Sequence, residues 1–101
     1  MFRATSRLLQ CRITFFTRSP CSLCDTAKAV VQNVKKERDF IYQEINVMEA
    51  GHETWKGVYE FDTPVIHVDN ANTVTTTSSP KLMHRFEEDQ VKKLLDEAES
   101  V

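Results

Sequence analysis

The feature that most constrains the fold is an abrupt change of sequence pattern near residue 20. Residues 12–17 have the sequence RITFFT, a run of β-branched and aromatic side chains that is typical of a strand buried on both faces. We expect this strand to end at Pro20, because proline has no N–H to donate to a sheet. Apolar side chains then recur at helical spacing from residue 23 to residue 34. The chain therefore passes directly from a strand into a helix.

The rest of the chain continues to alternate between strand and helix patterns. The further predicted elements are a strand at 40–47, a helix around 49–59, a strand at 63–68, a weak strand at 81–86 and a closing helix at 87–99. Asp69-Asn70 predicts the opening of a turn, and the polar residues 71–80 predict an irregular loop, with a short exposed hairpin as the alternative. The order β-α-β-α-β-β-α predicts an α/β fold with a four-stranded mixed sheet and three helices, which cover both of its faces.

Composition and charge disfavour several classes of protein. The 101 residues suffice for one domain, which we assign to 1–101, and are too few for two. The net charge of −2 provides no field that would attract nucleic acid or a membrane surface. No window of about 18 apolar residues predicts a transmembrane helix. We therefore expect a protein that binds neither nucleic acid nor membrane, and we assign it as a monomer.

The first 11 residues allow two interpretations. They contain arginines and apolar side chains but no acidic residue, and so resemble a very short mitochondrial presequence. The alternative is the frayed basic terminus of a cytoplasmic protein, which we favour because the segment is short and abuts the first strand. Cys11 precedes that predicted strand, and we expect it to be a surface thiol without a role.

Two of the three cysteines have a spacing that is typical of functional sites. Cys21 and Cys24 form a Cys-x-x-Cys pair, which is found in redox sites and as half of a metal site. Zinc prefers four ligands, and the sequence has no second cysteine pair and no His-x-x-x-His partner, so we expect no metal. Two buried, inert cysteines at a chance spacing are the remaining alternative, which the strand–proline–helix context disfavours.

The predicted position of the pair at the start of a helix assigns a role to each cysteine. Free N–H groups and the macrodipole favour an anion at a helix N-terminus, so Cys21 should ionise more readily than a free cysteine. Arg18 would add a positive charge nearby. Cys24 lies on the same helix face, one turn deeper. We therefore expect Cys21 to attack a substrate disulfide and Cys24 to resolve the product.

A second motif completes a family resemblance. Thr63-Pro64-Val65 opens the third predicted strand, and this motif following Cys-x-x-Cys resembles the thioredoxin superfamily. Over residues 12–99 the chain resembles small glutaredoxin-like proteins most closely. The matching segments are FFTRSPCSLCDTAKAVV around the cysteines, DTPVIHVDN at the proline and LMHRF before the last helix. The resemblance implies a thioredoxin-like fold and a thiol–disulfide oxidoreductase without a tightly bound cofactor.

The resemblance also implies a substrate site for glutathione, as co-substrate, or for a protein disulfide. It implies that Pro64 is cis and packs against Cys21, and that Thr63 offers its backbone to an extended ligand. Arg18 matches the basic residue that contacts the glutathione carboxylate in glutaredoxins. The residues between the cysteines, Ser22 and Leu23, would line the same site.

Several departures from the glutaredoxin pattern bear on the substrate. Ser22-Leu23 replaces the usual Pro-Tyr or Pro-Phe, and no glycine follows Gly57, so the usual Gly-Gly turn before the last helix is missing. Glu60 and Asp62 would oppose an anionic ligand. We therefore expect weak glutathione binding and favour a protein disulfide as substrate. Two other functions stay open: a glutathione-dependent module for a [2Fe–2S] cluster, and a redox-inert adaptor.

Other notable side chains receive structural interpretations. We expect Asp25 to complement the helix N-terminus rather than to act on the Cys24 proton. The expected roles of the remainder are burial for His67, packing for Trp55 and Tyr59, and a link from strand to helix for His84 and Arg85.

Overall fold

The computed structural model of the chain describes residues 11–19 and 21–99. Over those residues, four strands and three helices follow the predicted order: β1 (Cys11–Thr17), α1 (Ser22–Glu37), β2 (Ile41–Asn46), α2 (Glu53–Tyr59), β3 (Val65–Asn70), β4 (Lys81–Met83) and α3 (Glu88–Glu99). The predicted α/β fold with a four-stranded mixed sheet is confirmed. The interpretations of the basic N-terminal segment, up to residue 10, and of Pro20 concern positions outside the described residues.

The sheet is organised around β1, which has a hydrogen-bonded neighbour on each side. The strand order is β2-β1-β3-β4, with β1 parallel to β2 and antiparallel to β3. Phe16 is paired with Ile45 of β2 and with Val65 of β3. Because β1 and β3 are antiparallel, the end of β1 lies beside the beginning of β3. The loop that enters α1 and the segment that precedes Val65 therefore share one end of the sheet.

The strand residues alternate between two hydrophobic clusters, one on each face of the sheet. Cys11, Ile13 and Phe15 of β1 contribute to the larger cluster, together with buried side chains of α1 and α3. Phe16, the next residue, contributes to the smaller cluster on the opposite face, with Tyr59 of α2. This alternation explains why β1 has apolar side chains at successive positions.

The smaller cluster contains a buried hydrogen-bonded histidine. The hydroxyl of Tyr59 lies 2.6 Å from Nε2 of His67, and Nδ1 of His67 lies 3.2 Å from the carbonyl oxygen of Ser79. A carbonyl oxygen only accepts, so we assign the proton to Nδ1, and Tyr59 donates to Nε2. The rings of Trp55 and Tyr59 lie nearly parallel, with centroids 5.8 Å apart. The structural interpretations of all three side chains are confirmed.

Two predicted boundaries differ because a residue adopts a positive φ angle. The helix expected around residues 49–59 begins only at Glu53, since Gly51 has a φ of 96° and sits in a turn. The fourth strand, expected at 81–86, ends at Met83, and His84 follows with a φ of 66°. Left-handed backbone does not continue a regular helix or strand. The helix α1 extends three residues beyond the last apolar position of its pattern, to Glu37, and the other helix and strand ends lie within two residues of their predicted positions.

The turn expected to open at Asp69-Asn70 is present and begins at Asn70, whose carbonyl oxygen accepts a 2.9 Å hydrogen bond from the N–H of Thr73, but β3 is longer than predicted. Both residues belong to β3, where Asp69 is opposite Arg12 and Asn70 is opposite Cys11. The Asp69 carboxylate lies 3.6 Å from the Arg12 guanidinium and accepts a 2.8 Å hydrogen bond from the Thr75 hydroxyl. These partners compensate for burying a charged side chain in a strand. The irregular loop predicted after this strand is confirmed, without strand or helix between residues 71 and 80.

The expectation that Cys11 is a surface thiol ahead of the first strand is wrong. Cys11 is the first residue of β1 and is 2% exposed, and its Sγ lies 3.6 Å from the carbonyl oxygen of Leu95. Burial raises the pKa of the Cys11 thiol, and the nearby Glu99 carboxylate raises it further. A thiol held protonated in this way is a poor nucleophile.

His67 generates a prediction about pH and stability. Burial lowers the pKa of His67, so the folded state keeps the imidazole neutral while the unfolded chain takes up a proton below about pH 6.5. The stabilisation is therefore present above that pH and is lost as the pH falls towards the folded-state value. His67→Gln keeps an acceptor for Tyr59 and does not titrate. Between pH 7.5 and pH 5.5, wild type should lose about 1 kcal/mol more unfolding free energy than this variant.

Urea unfolding of the oxidised protein at several pH values measures this difference. Equal losses in the two proteins would show that His67 is not the group responsible.

Candidate active site

Cys21 and Cys24 lie at the N-terminus of α1, as the pattern predicts, and they are joined by a disulfide. Cys21 is the residue before the helix and has extended backbone angles. Its Sγ accepts a hydrogen bond from the N–H of Cys24 at 3.1 Å. The two Cα atoms are 5.2 Å apart, which is within the range that a disulfide spans. The structure therefore contains the oxidised form of the pair.

The two sulfur-bearing side chains differ in accessibility. Cys21 is half-buried, whereas Cys24 is 2% exposed and belongs to the larger hydrophobic cluster. A second molecule can therefore reach the Cys21 side chain more readily than the Cys24 side chain.

The sequence of α1 explains why a helix begins here. Ala27, Val31 and Val34 form its buried face. Asp25 lies in the first turn and basic residues lie in the last turn, so that charges at both ends complement the macrodipole. Asp25 is exposed, as expected for a group that faces the helix N-terminus from solvent.

The Thr63-Pro64 segment lies at the same end of the sheet as the cysteine pair. The peptide bond between the two residues is cis, and the carbonyl oxygen of Pro64 accepts a 2.8 Å hydrogen bond from the N–H of His84. Neither the N–H nor the C=O of Thr63 forms a backbone hydrogen bond with another described residue. These two groups are available to pair with an extended ligand.

His84 occupies the turn for which the resemblance suggested a glycine pair. It adopts the left-handed conformation that glycine takes most easily, so the chain makes a tight turn here without glycine. Nε2 of His84 lies 3.8 Å from the Asp62 carboxylate, and both side chains are about half exposed. The sequence did not indicate this pairing, because the two residues are brought together by the pairing of β3 with β4 and by the hydrogen bond from His84 to Pro64.

Arg18 connects the loop before Cys21 to the end of α2. Its guanidinium donates a 2.9 Å hydrogen bond to the carbonyl oxygen of Glu60. Of the two residues between the cysteines, Ser22 is exposed and Leu23 is half-buried. Leu23 lines a groove of about 330 Å³ that also contains His84 and Arg85. The structure thus places the predicted site residues around one end of the sheet.

A second groove, of about 500 Å³, lies beside Cys21 and is strongly charged. Its lining residues are Thr17, Arg18, Ser19, Cys21, Asp25, Lys28, Glu44, Asn46 and Glu49. Lys28 and Glu44 neutralise each other across 3.0 Å. The remaining charges are one arginine and the carboxylates of Asp25 and Glu49, so acidic groups predominate.

Glu44 and Glu49 were not assigned to the site from the sequence, although the predicted order of strands and helices contains a signal for them. The parallel partner β2 ends at the same edge of the sheet as β1, so side chains at the end of β2 and just beyond it come close to Cys21. Within the part of the chain that the structure describes, no three His, Cys, Asp or Glu side chains form a potential metal site. In the same part, no helix has the length and apolar character needed to cross a membrane.

Comparison with known families gives a match over most of the chain. The model of the Glutaredoxin-like domain (DUF836) matches residues 12–96. The chain belongs to this glutaredoxin-like family. The match includes both cysteines of the pair and the Thr63-Pro64 segment, so the family resemblance inferred from the sequence is confirmed.

Solved structures with a similar fold include thioredoxins. A thioredoxin variant from Halobacterium salinarum superposes with a TM-score of 0.70 at 15% identity, covering 99% of this chain and 84% of that protein. Oxidised thioredoxin O1 from Arabidopsis thaliana gives 0.64 at 16%, covering 96% and 87%. A structural genomics target protein from X. campestris gives 0.59 at 19%, covering 85% and 97%. At these identities the similarity establishes the thioredoxin fold alone.

The Arg18 hydrogen bond generates a stability prediction. Arg18→Gln removes the charged donor to the Glu60 carbonyl, and we expect the unfolding free energy to fall by about 1 kcal/mol. Arg85→Gln is the matched control, since Arg85 is exposed, and it should change the value by less than about 0.5 kcal/mol. Urea unfolding measures both, and equal changes would contradict the assigned contribution of Arg18.

Proposed function

We propose that this protein is a thiol–disulfide oxidoreductase in which Cys21 is the nucleophile and Cys24 is the resolving thiol. The observation that carries the proposal is the asymmetry of the pair. Cys21 is half-buried at the start of α1, and its Sγ accepts a hydrogen bond from the Cys24 N–H, while the bonded Cys24 is buried. In the reduced protein, the same N–H and the helix N-terminus would stabilise a thiolate at Cys21.

The reaction consists of two exchange steps. The Cys21 thiolate attacks one sulfur of the substrate disulfide, and the other substrate sulfur leaves as a thiolate and takes up a proton. Cys24 then gives up its proton and attacks the Cys21 sulfur. The Cys21–Cys24 disulfide forms, and the bound substrate sulfur leaves as the second thiol. The substrate gains two electrons and two protons, which the protein dithiol loses.

A thiol reductant completes the cycle. Two molecules of glutathione would restore the dithiol and become one disulfide, so that glutathione acts as co-substrate without being tightly bound. Arg18 has five N–H donors, and its bond to the Glu60 carbonyl leaves others for a carboxylate of a bound ligand.

The charges around Cys21 favour a protein disulfide as the substrate to be reduced. Glutathione carries net negative charge, and the groove beside Cys21 contains more carboxylates than unpaired cations. Like charges raise the cost of binding an anion there. The unpaired backbone of Thr63 suits an extended protein segment, which would bind by strand addition, with Pro64, Ser22 and Leu23 as its neighbours.

Cysteine variants test the proposal. Cys21→Ser should abolish reduction of a mixed disulfide between glutathione and a protein, because the attacking sulfur is missing. In the absence of a free thiol, Cys24→Ser should still form the first mixed disulfide and then stall, which mass spectrometry of the intact protein detects. Cys11→Ala is the control and should keep the wild-type rate, since the Cys11 thiol is buried in the core.

Coupling the assay to NADPH through glutathione reductase, and separately through thioredoxin reductase, identifies the electron source. Equal rates for wild type and Cys21→Ser would remove the proposal and leave the two alternatives, a redox-inert adaptor and a module for a [2Fe–2S] cluster. Reduced Cys21 should also react with iodoacetamide at pH 6 faster than a free cysteine does.

A further inference from the structure

Phe61 is the most exposed large apolar side chain in the described part of the chain. It is 85% exposed and lies in the turn between α2 and Thr63. Isolated apolar side chains on a surface need no special explanation. The surroundings of Phe61, however, connect it to the candidate active site.

Two contacts hold the segment that carries Phe61. The preceding residue, Glu60, accepts the Arg18 hydrogen bond through its carbonyl oxygen, and the following Asp62 donates its N–H to the carbonyl oxygen of Tyr59 at 2.9 Å. The backbone at Phe61 is therefore fixed relative to the loop that leads into Cys21, while the side chain projects into solvent.

Phe61 also has an apolar neighbour on the surface. Val58 is 41% exposed and precedes Phe61 by three residues. Glu60, at the end of α2, keeps helical backbone angles of −49° and −40°, so Phe61 follows Val58 by about one turn. Phe61 and Val58 together form the surface that we call the apolar step.

The apolar step is within reach of a segment bound at Thr63. Phe61 is two residues from Thr63, so their Cα atoms are at most about 7 Å apart. An extended segment that pairs with the Thr63 backbone would pass beside this surface, with side chains alternating towards and away from it.

We propose that the apolar step docks an apolar side chain next to the reactive cysteine of a protein disulfide, and so selects protein substrates over glutathione. The inference rests on the proposed function, because it concerns the substrate of the same site. Glutathione has no apolar side chain to fill the step, whereas aromatic side chains are enriched at protein interfaces. Glu60 and Asp62 flank Phe61 in the sequence, and their negative charge favours a segment without acidic residues.

Two synthetic peptides test the proposal. Each has one cysteine in a mixed disulfide with the same small thiol, and they differ only in having leucine or serine on both sides of that cysteine. Wild type should reduce the leucine peptide with a kcat/KM about tenfold higher than that of the serine peptide. Phe61→Ser should bring the ratio close to one, and Phe61→Leu should restore part of the preference.

Val74→Ser is the matched control and should keep the wild-type ratio. Val74 is 80% exposed, so its replacement should affect folding as little as the replacement of Phe61 does. It lies near Arg12, at the beginning of β1, and not near the redox pair. Reduction of both peptides by wild type without a preference would overturn the docking proposal and leave the proposed function intact. A preference that survives in Phe61→Ser would also overturn it. If wild type reduces neither peptide, both proposals fall.

Discussion

The structure depends on the pairing of β1 with a strand on each side. The parallel partner β2 and the antiparallel partner β3 fix both of its edges, and hydrophobic clusters cover both of its faces. The position at which β1 ends determines which segments of the chain surround the cysteine pair. The end of β1 lies beside the beginning of β3. The strand-to-helix loop with Cys21 and the Thr63-Pro64 segment therefore lie at the same end of the sheet because of strand pairing.

The surroundings of the cysteine pair are held by hydrogen bonds that link three separate segments. Arg18 reaches from the loop before Cys21 to Glu60, and His84 donates from the turn after β4 to Pro64. Neither bond requires the redox pair itself. The two hydrogen bonds therefore hold the segments around the cysteine pair whether or not the two sulfurs are bonded, which suits the exchange reaction proposed above.

Local patterns predicted most of the fold and the centre of the site. The run RITFFT, the helical spacing after Leu23 and the Cys-x-x-Cys motif each depend on neighbours in sequence, and each was placed correctly. The failures share a different cause. Asp69 and Asn70 open a turn as expected, but they also extend β3 because they pair with the start of β1, and Cys11 is buried against α3, near the other end of the chain. Glu44 approaches Cys21 through strand pairing alone.

Both bonds that frame the cysteine pair end on main-chain oxygens, those of Glu60 and Pro64. A carbonyl acceptor is present whatever side chain the residue carries, so the anchor at position 60 does not depend on glutamate. The charge of the side chain at position 60 can therefore change sign without loss of the Arg18 hydrogen bond. Relatives of this chain could thus acquire new partners by exchanging surface side chains on a common scaffold, and an engineer could retune its selectivity in the same way.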